Sequence, residues 1–186
     1  GVTVVTNTRK PANQGNGVGT SGGEQVKVVV RIRPMNPMEL KRKDNYTCDV
    51  VDNNHIHWDE INKSFRFNAA LDENNLQEDV FEKWGVHDLI DAALEGYSST
   101  IFAYGQTGSG KTYTMAGVED KLGKEGWVPD NNDGLIPRSI RYMWERMTTR
   151  EEQFYVQAAF MEIYNEQLRD ILNPSTGILQ CRWNAK

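Results

Sequence analysis

The sequence has little of what marks disulfide-rich, membrane-spanning or nucleic-acid-binding proteins. Its two cysteines, Cys48 and Cys181, lie too far apart in sequence to indicate a disulfide framework or a metal site. No apolar run approaches the roughly 20 residues needed to cross a bilayer. The formal net charge is −5, so the chain as a whole lacks the basic excess that attracts nucleic acid. These absences predict reduced thiols in a cytoplasmic protein with neither a membrane span nor a nucleic-acid partner.

What the sequence does contain is a glycine-rich phosphate loop, residues 105–112, which reads GQTGSGKT and fits the pattern G-x-x-x-x-G-K-[ST] at every fixed position. Glycines let the backbone curve so that N–H groups point at phosphate oxygens. Lys111 reaches the β- and γ-phosphates in such loops, and the Thr112 hydroxyl is placed to bind Mg²⁺. The predicted nucleotide-binding residues are Gly105, Gln106, Thr107, Gly108, Ser109, Gly110, Lys111 and Thr112.

The sequence on either side of the phosphate loop has the order strand, loop, helix that the motif requires. Residues 99–104 are apolar and rich in strand-forming types, and residues 111–116 contain no helix breaker before Gly117. A helix that starts near Gly110 would aim its positive end at the phosphates. The alternative is a glycine-rich surface turn, which requires neither the Lys-Thr pair nor the preceding strand.

The rest of the chain alternates strands and helices, which predicts an α/β fold with a largely parallel central sheet flanked by helices. We expect a flexible tail over 1–24 and one domain over 25–186, beginning with a strand at 26–33. Short antiparallel strands are predicted across 49–67, and a long strand across 154–164.

Two helices are predicted besides the one that follows the phosphate loop. The first runs over 76–95, with Asn75 and Glu78 as its capping box. The second has Pro137 in its first turn. Its expected buried face consists of Ile136, Ile140, Met143, Trp144 and Met147.

Three further segments accompany the phosphate loop in a fixed order. Residues 30–34 read VRIRP and precede it, whereas residues 134–138 (GLIPR) and 162–166 (EIYNE) follow it. With the phosphate loop, they resemble the first part of a kinesin motor domain over residues 26 to about 180. Four motifs in this order are specific, because a generic phosphate-loop enzyme would share only one of them.

The resemblance implies a P-loop NTPase fold of kinesin motor type, ATP and Mg²⁺ as ligands, microtubules as partner, and a cytoplasmic location on the cytoskeleton. It implies that Arg31 and Pro34 line the adenine side of the pocket, although a solvated arginine and a strand-ending proline remain the alternative. The resemblance also implies that an aromatic residue near the start of the long helix covers the base. Phe81 is the candidate, with core packing as its alternative. Glu162 and Glu166 are expected to be structural.

Two kinesin motifs, N-x-x-S-S-R-S-H and D-x-A-G-x-E, do not occur in the sequence. The resemblance implies that these switches orient the attacking water and hold Mg²⁺ from the other side. We therefore expect residues 25–186 to be a partial motor domain without either switch or most of the microtubule-binding surface. The full-length protein is expected to be a microtubule-stimulated ATPase, whereas turnover by this chain alone stays open.

Two other functions stay open at this point. One is a truncated, kinesin-derived nucleotide- or partner-binding module without ATPase activity, and the other is an unrelated phosphate-loop enzyme. Because the strand before the phosphate loop has its kinesin neighbours mainly in the later half of the motor, both of its edges are expected to be unpaired. The isolated chain is therefore expected to be unstable or prone to aggregate.

Overall fold

Ten strands, five α-helices and two short 3₁₀ helices occupy the described residues, which in this computed structural model are 2–9, 26–118 and 128–183. The strands are β1 (Val2–Arg9), β2 (Lys27–Arg31), β3 (Cys48–Asp52), β4 (His55–Trp58), β5 (Lys63–Arg66), β6 (Ala69–Leu71), β7 (Ser98–Tyr104), β8 (Met161–Tyr164), β9 (Gln167–Asp170) and β10 (Ile178–Leu179). The helices are α1 (Pro37–Arg42), α2 (Gln77–Lys83), α3 (Val86–Leu94), α4 (Lys111–Met115) and α5 (Leu135–Thr148). The chain divides into two units, Gly1–Thr149 and Arg150–Lys186.

The first unit is built on a four-stranded sheet in the order β6-β2-β1-β7. β2 and β6 pair in parallel, whereas β1 pairs antiparallel with β2 on one side and with β7 on the other. β2, β6 and β7 therefore run in one direction and β1 runs against them. The α/β class is confirmed, and the expected predominance of one strand direction holds for every strand of this sheet except β1.

β1 departs from the expectation of a flexible tail over 1–24. Val2 is paired with Arg31 of β2, and Thr3 is paired with Tyr104 of β7. The pairing with β7 extends to Arg9 opposite Ser98, so one edge of the strand before the phosphate loop is covered along its whole length. The β-branched run at residues 2–6, VTVVT, was a usable local signal for this strand, whereas its pairing partners are distant in sequence. Residues 10–24 of the predicted tail lie outside the described residues.

The two faces of the sheet carry different layers. Val29 and Leu71 face a core that is shared with α2, α3 and α5, and Leu135 is its most deeply buried contribution from α5. On the opposite face, Ile32 and Ala70 pack against the small antiparallel sheet β3-β4-β5 through Ile56. The alternation of side chains along β2 and β6 thus separates a helical layer from a second sheet.

The predicted helix over 76–95 is two helices. Gly85 lies between α2 and α3 with a φ of +68°, in the left-handed region that ends a helix and favours glycine. The cap also differs from the prediction: Asp79, rather than Glu78, accepts the Leu76 N–H at 2.9 Å. The break redirects the chain, so that α2 contacts α5 while α3 packs against both α5 and β7.

The predicted buried face of α5 is mostly wrong. The helix buries Leu135, Pro137, Arg138 and Met147, and of these only Met147 belongs to the predicted set. Ile136, Ile140 and Trp144 are 41%, 56% and 62% exposed. The sequence pattern marks an apolar stripe, but contacts of α5 with α2, α3 and α4 decide which side of the helix is covered.

The second unit is a three-stranded antiparallel sheet in the order β10-β9-β8. The long strand predicted over 154–164 is shorter in the structure, since only Met161–Tyr164 pairs as a strand. None of the residues described in 150–183 is buried. Within the described ranges of both units, no helix is long and apolar enough to cross a membrane.

Candidate nucleotide-binding site

The phosphate loop joins β7 to α4, which confirms the predicted order of strand, loop and helix. Gly108 and Gly110 have φ angles of +79° and +101°, which residues with side chains rarely adopt. The Lys111 ammonium group curls back into the loop, donating to the carbonyl oxygens of Gly105 at 2.7 Å and Gln106 at 3.0 Å. The glycines thus permit a tight curve with a positive charge held inside it.

The surface of the phosphate loop is open to solvent on one side. Gln106, Thr107, Gly108 and Thr112 are exposed, so their backbone and side-chain groups are accessible to a ligand. Ser109, in contrast, is 2% exposed, and its Oγ has no hydrogen-bond partner in the described part of the protein. The loop therefore exposes its outer residues to solvent and keeps the Ser109 side chain buried.

Arg33 fixes the phosphate loop to the segment after β2. Its Nε donates to the Gly108 carbonyl at 2.8 Å, and its two terminal nitrogens bind the Glu39 carboxylate at 2.7 and 2.6 Å. This hydrogen-bonded pairing, with the Asn36 N–H, lowers the pKa of Glu39 to about 2. Sequence analysis missed Arg33, which lies two residues beyond the end of β2 and has no motif role of its own.

Arg31 lies beneath α4 rather than on the open surface. It is 6% exposed and donates to Gln77 Oε1 at 2.7 Å and to Thr114 Oγ1 at 3.1 Å. Its guanidinium carbon is 5.4 Å from the centre of the Tyr113 ring, within the range of a cation–π contact. Burial lowers the pKa of Arg31 below its ordinary value.

Gln77, at the start of α2, links three separate segments. Its side-chain oxygen accepts from Arg31, while its Nε2 donates to the Tyr113 carbonyl at 2.6 Å and the Asn132 carbonyl at 3.3 Å. It is 3% exposed, so these bonds replace those it would make to water. Sequence analysis did not identify Gln77, because a glutamine at a helix start carries no pattern of its own.

The end of α4 lies directly against the turn that precedes α5. A Cβ on Gly117 would come within 2.4 Å of the Asn132 oxygen, and one on Gly134 within 2.6 Å of the Met115 carbonyl group. The Gly134 N–H also donates to the Ala116 carbonyl at 3.3 Å. Two glycines thus allow the backbones to touch on either side of the segment 118–133, whose residues 119–127 are outside the described part.

Pro34 and Phe81, two other predicted site residues, differ in exposure: Pro34 lies at the surface and Phe81 lies in the core. Pro34 is exposed, and its carbonyl accepts from Arg33, so it lies near the phosphate loop. Phe81 is 4% exposed and packs edge-on against the His87 ring at 4.6 Å and the Tyr142 ring at 6.3 Å. The core-packing alternative describes Phe81, because its ring is enclosed by other side chains and presents no free face to a base.

Tyr113 is the exposed aromatic residue nearest in sequence to the phosphate loop on the helix side. It follows Thr112 directly and is 41% exposed. Sequence analysis concentrated on the predicted long helix and passed over this residue, although an aromatic side chain directly after the Lys-Thr pair was a usable signal. Its ring rests on Arg31, which limits its motion.

Metal-ligating side chains do not cluster in the described part of the chain. Across the described ranges, no three His, Cys, Asp or Glu side chains come together in a way that could hold a metal ion. Cys48 and Cys181 are free cysteines. Any metal at the phosphate loop would therefore depend on hydroxyl and ligand oxygens, which is the donor type that Mg²⁺ prefers.

An α/β unit with a glycine-rich loop between a strand and a helix is the class of protein that the fold and the site define. Comparison with known proteins makes this specific: the kinesin motor domain family matches residues 31–186. The chain therefore belongs to the kinesin motor domain family, a family of microtubule motors.

The chain is similar to several curated kinesin-like proteins. It is 33% identical to kinesin-like protein Klp61F of Drosophila melanogaster and 38% identical to kinesin-like protein KIF12 of Mus musculus, with 89% of the chain covered in each case. It is 34% identical to kinesin-like protein KIF3C of Bos taurus, over 85% of the chain. The matched region spans 15%, 26% and 20% of the lengths of these three relatives.

Proposed function

We propose that the phosphate loop binds Mg·ATP and that the chain is the ATP-binding part of a motor that couples ATP hydrolysis to movement along microtubules. The observation that carries this proposal is the Lys111 ammonium group, held inside the glycine curve by two loop carbonyls. A bound phosphate would give this cation an anionic partner in place of neutral carbonyl oxygens, and charge-assisted bonds are the stronger ones.

The proposed metal ligand and base contacts are exposed residues close to the phosphate loop. Thr112 is an exposed residue next to Lys111, and its hydroxyl would be a ligand of Mg²⁺, with phosphate oxygens supplying others. Exposed Pro34 and the exposed ring of Tyr113 offer flat apolar surfaces to an adenine base on either side of the loop. Arg31 would act from below, through the Tyr113 ring that it supports.

Microtubule binding and ATP turnover are proposed for the full-length protein, and they rest on membership in the kinesin family. A location on the cytoskeleton follows from the same proposal. The alternative of a truncated nucleotide- or partner-binding module has no observation of its own in its favour. An unrelated phosphate-loop enzyme is excluded by the family match over residues 31–186.

Microtubule-stimulated ATP hydrolysis by the full-length protein tests this proposal. Lys111→Ala should reduce turnover by about 100-fold or more, because removing one preorganised charge from a transition state has effects of this size. Lys41→Ala, at an exposed position in the last turn of α1, is the matched control and should keep wild-type turnover. Equal ATPase rates for the Lys111→Ala variant and the wild type would contradict the site.

A further inference from the structure

We propose that Gln77 is a positioning residue for the phosphate-loop helix: its side-chain amide holds α4 in the place from which Lys111 and Thr112 meet Mg·ATP. This inference rests on the proposed function of the phosphate loop. It concerns a buried residue that acts through the backbone of Tyr113, one residue after the phosphate loop.

The helix α4 cannot hold its own position. It has five residues and no side-chain cap at its N-terminus, where Gly110 takes the cap position. Helices this short are not stable by themselves, because nucleation costs more than a few hydrogen bonds return. The placement of α4 must therefore come from contacts with the surrounding structure.

Those contacts converge on the two residues that follow Thr112. The Tyr113 carbonyl accepts a hydrogen bond from Gln77 at 2.6 Å in addition to one from the Gly117 N–H. Thr114 is 1% exposed, and its hydroxyl accepts from Arg31 at 3.1 Å. Tyr113 and Thr114 are thus held by side chains from α2 and β2, directly after the two residues that would meet the nucleotide.

The chemistry of this junction requires an amide at position 77. Arg31 can only donate, so it must face the side-chain oxygen; backbone carbonyls can only accept, so they must face the NH₂ group. One side chain that accepts from Arg31 and donates to both Tyr113 and Asn132 satisfies all three partners. A glutamate would keep the bond to Arg31 but bring a carboxylate oxygen against two carbonyl oxygens.

Gln77 also connects α4 to the turn before α5. The Asn132 carbonyl that accepts from Gln77 is the atom that a Cβ on Gly117 would meet at 2.4 Å. The same amide therefore fixes α4 at its middle and the neighbouring turn at its closest approach. Loss of the two donated bonds would release both contacts and let α4 shift relative to β7.

The test compares Mg²⁺-dependent nucleotide affinity in the full-length protein. Binding of a fluorescent ATP analogue is measured with Mg²⁺ and with EDTA for the wild type and for Gln77→Glu. We expect the substitution to weaken binding about tenfold with Mg²⁺ and much less with EDTA, because Thr112 meets the metal only when α4 is in place. The pH is kept at 7 and the temperature well below the melting temperature of each variant.

Asn54→Asp is the matched control. The Asn54 amide also donates to two backbone carbonyls, those of Phe67 at 3.2 Å and Asn68 at 2.6 Å, but it lies in the turn between β3 and β4. The control loses the same kind of hydrogen bonds and should keep the wild-type gain in affinity from Mg²⁺. A purely structural role for Gln77 would instead make the two variants alike.

Gln77→Met provides a second variant if Gln77→Glu does not fold. It removes the acceptor of Arg31 and both donated hydrogen bonds with little change in size, and it should reduce Mg·ATP affinity about tenfold. Wild-type Mg²⁺ dependence in either folded variant overturns the positioning role while the nucleotide site stands. If the wild type binds no Mg·ATP, or if Lys111→Ala binds it equally well, the proposed function fails and the inference fails with it.

Discussion

The two units of the chain differ in the burial of their apolar residues. Every hydrophobic side chain buried in the described residues belongs to the first unit, where helices and a second sheet cover the two faces of the central sheet. In the second unit, Tyr155, Ile163 and Tyr164 are 91%, 77% and 61% exposed. Both units form strands, but only the first places apolar layers on them.

The difference teaches that strand pairing and apolar burial have separate requirements. In the second unit, β8, β9 and β10 satisfy their backbone groups with neighbours in sequence. Burial needs a second layer, and the first unit obtains it from elements distant in sequence, such as α3 packed against β7 and α5. No second layer covers the sheet β10-β9-β8 among the described residues of the second unit, so its large apolar side chains stay exposed.

The largest expected effect is the loss of a core side chain in the first unit. Trp84 is 2% exposed, so Trp84→Ala should lower the free energy of unfolding by about 3–5 kcal/mol. Ile163→Ala in the second unit should change it by less than about 0.5 kcal/mol, because surface substitutions rarely do more. Urea unfolding of the full-length protein, followed by circular dichroism, measures both. Similar losses for the two variants would contradict the contrast between the units.

Two glycines provide a matched pair of intermediate size. Gly117 and Gly177 both have positive φ, at +92° and +70°, so alanine is strained at either position. Only Gly117 faces a close backbone atom; nothing lies within 4 Å of a Cβ on Gly177. Gly177→Ala should cost about 1–2 kcal/mol, and Gly117→Ala at least about 1 kcal/mol more because of the added clash.

Melting temperatures of these two alanine variants, measured side by side against the wild type, decide the comparison. Gly96→Ala is a control within the first unit, since its φ is +93° with open space around it. It should behave like Gly177→Ala. A melting temperature for Gly117→Ala as high as that of Gly96→Ala would show that the end of α4 is free to move away from the turn.

The smallest expected effect on stability comes from a polar contact of the first unit, the ion pair of Glu39 with Arg33, rather than from its core. The pKa of Glu39 is lowered to about 2 by its hydrogen bonds with Arg33 and the Asn36 N–H. A carboxylate with a lowered pKa stabilises the fold above its ordinary pKa of 4.5, and this contribution is lost as the pH falls from there towards 2. Glu39→Gln should therefore reduce the melting temperature at pH 7 more than at pH 3.

The exposed variant Glu73→Gln controls for the loss of one negative charge. It should leave the difference in melting temperature between pH 7 and pH 3 as in the wild type. Because Arg33 also binds the Gly108 carbonyl, Glu39→Gln should increase hydrogen exchange in the phosphate loop at pH 7. Unchanged exchange there would show that Arg33 holds the loop without Glu39.

Local patterns predicted a large part of the fold. The strand before the phosphate loop, the loop itself and the small strands over 49–67 follow the prediction closely, because their alternation and glycine positions are local signals. Family membership was also predictable, since four ordered motifs carry it. The role of the phosphate-loop residues and the boundaries of the domain stay predictions.

Most of the differences from the prediction have a tertiary cause. The partners of β1 come from β2 and β7, and the covered side of α5 depends on which helices lie next to it. Phe81 is enclosed by the core, and Arg31 is covered by α4, so the burial of both depends on the fold, whereas their roles at a nucleotide stay predictions. Gln77 had no sequence signal, since its importance comes from three partners that only the fold assembles.

The sequence by itself determined the phosphate loop and the family, because glycine conformation, the Lys-Thr pair and motif order are properties of residues and their spacing. The tertiary structure decided how that loop is held. Arg33 binds its Gly108 carbonyl, and Arg31 with Gln77 holds the helix behind it, through contacts between residues 36 to 83 positions apart. Such contacts form only when distant segments pack together, which is why spacing alone does not reveal them.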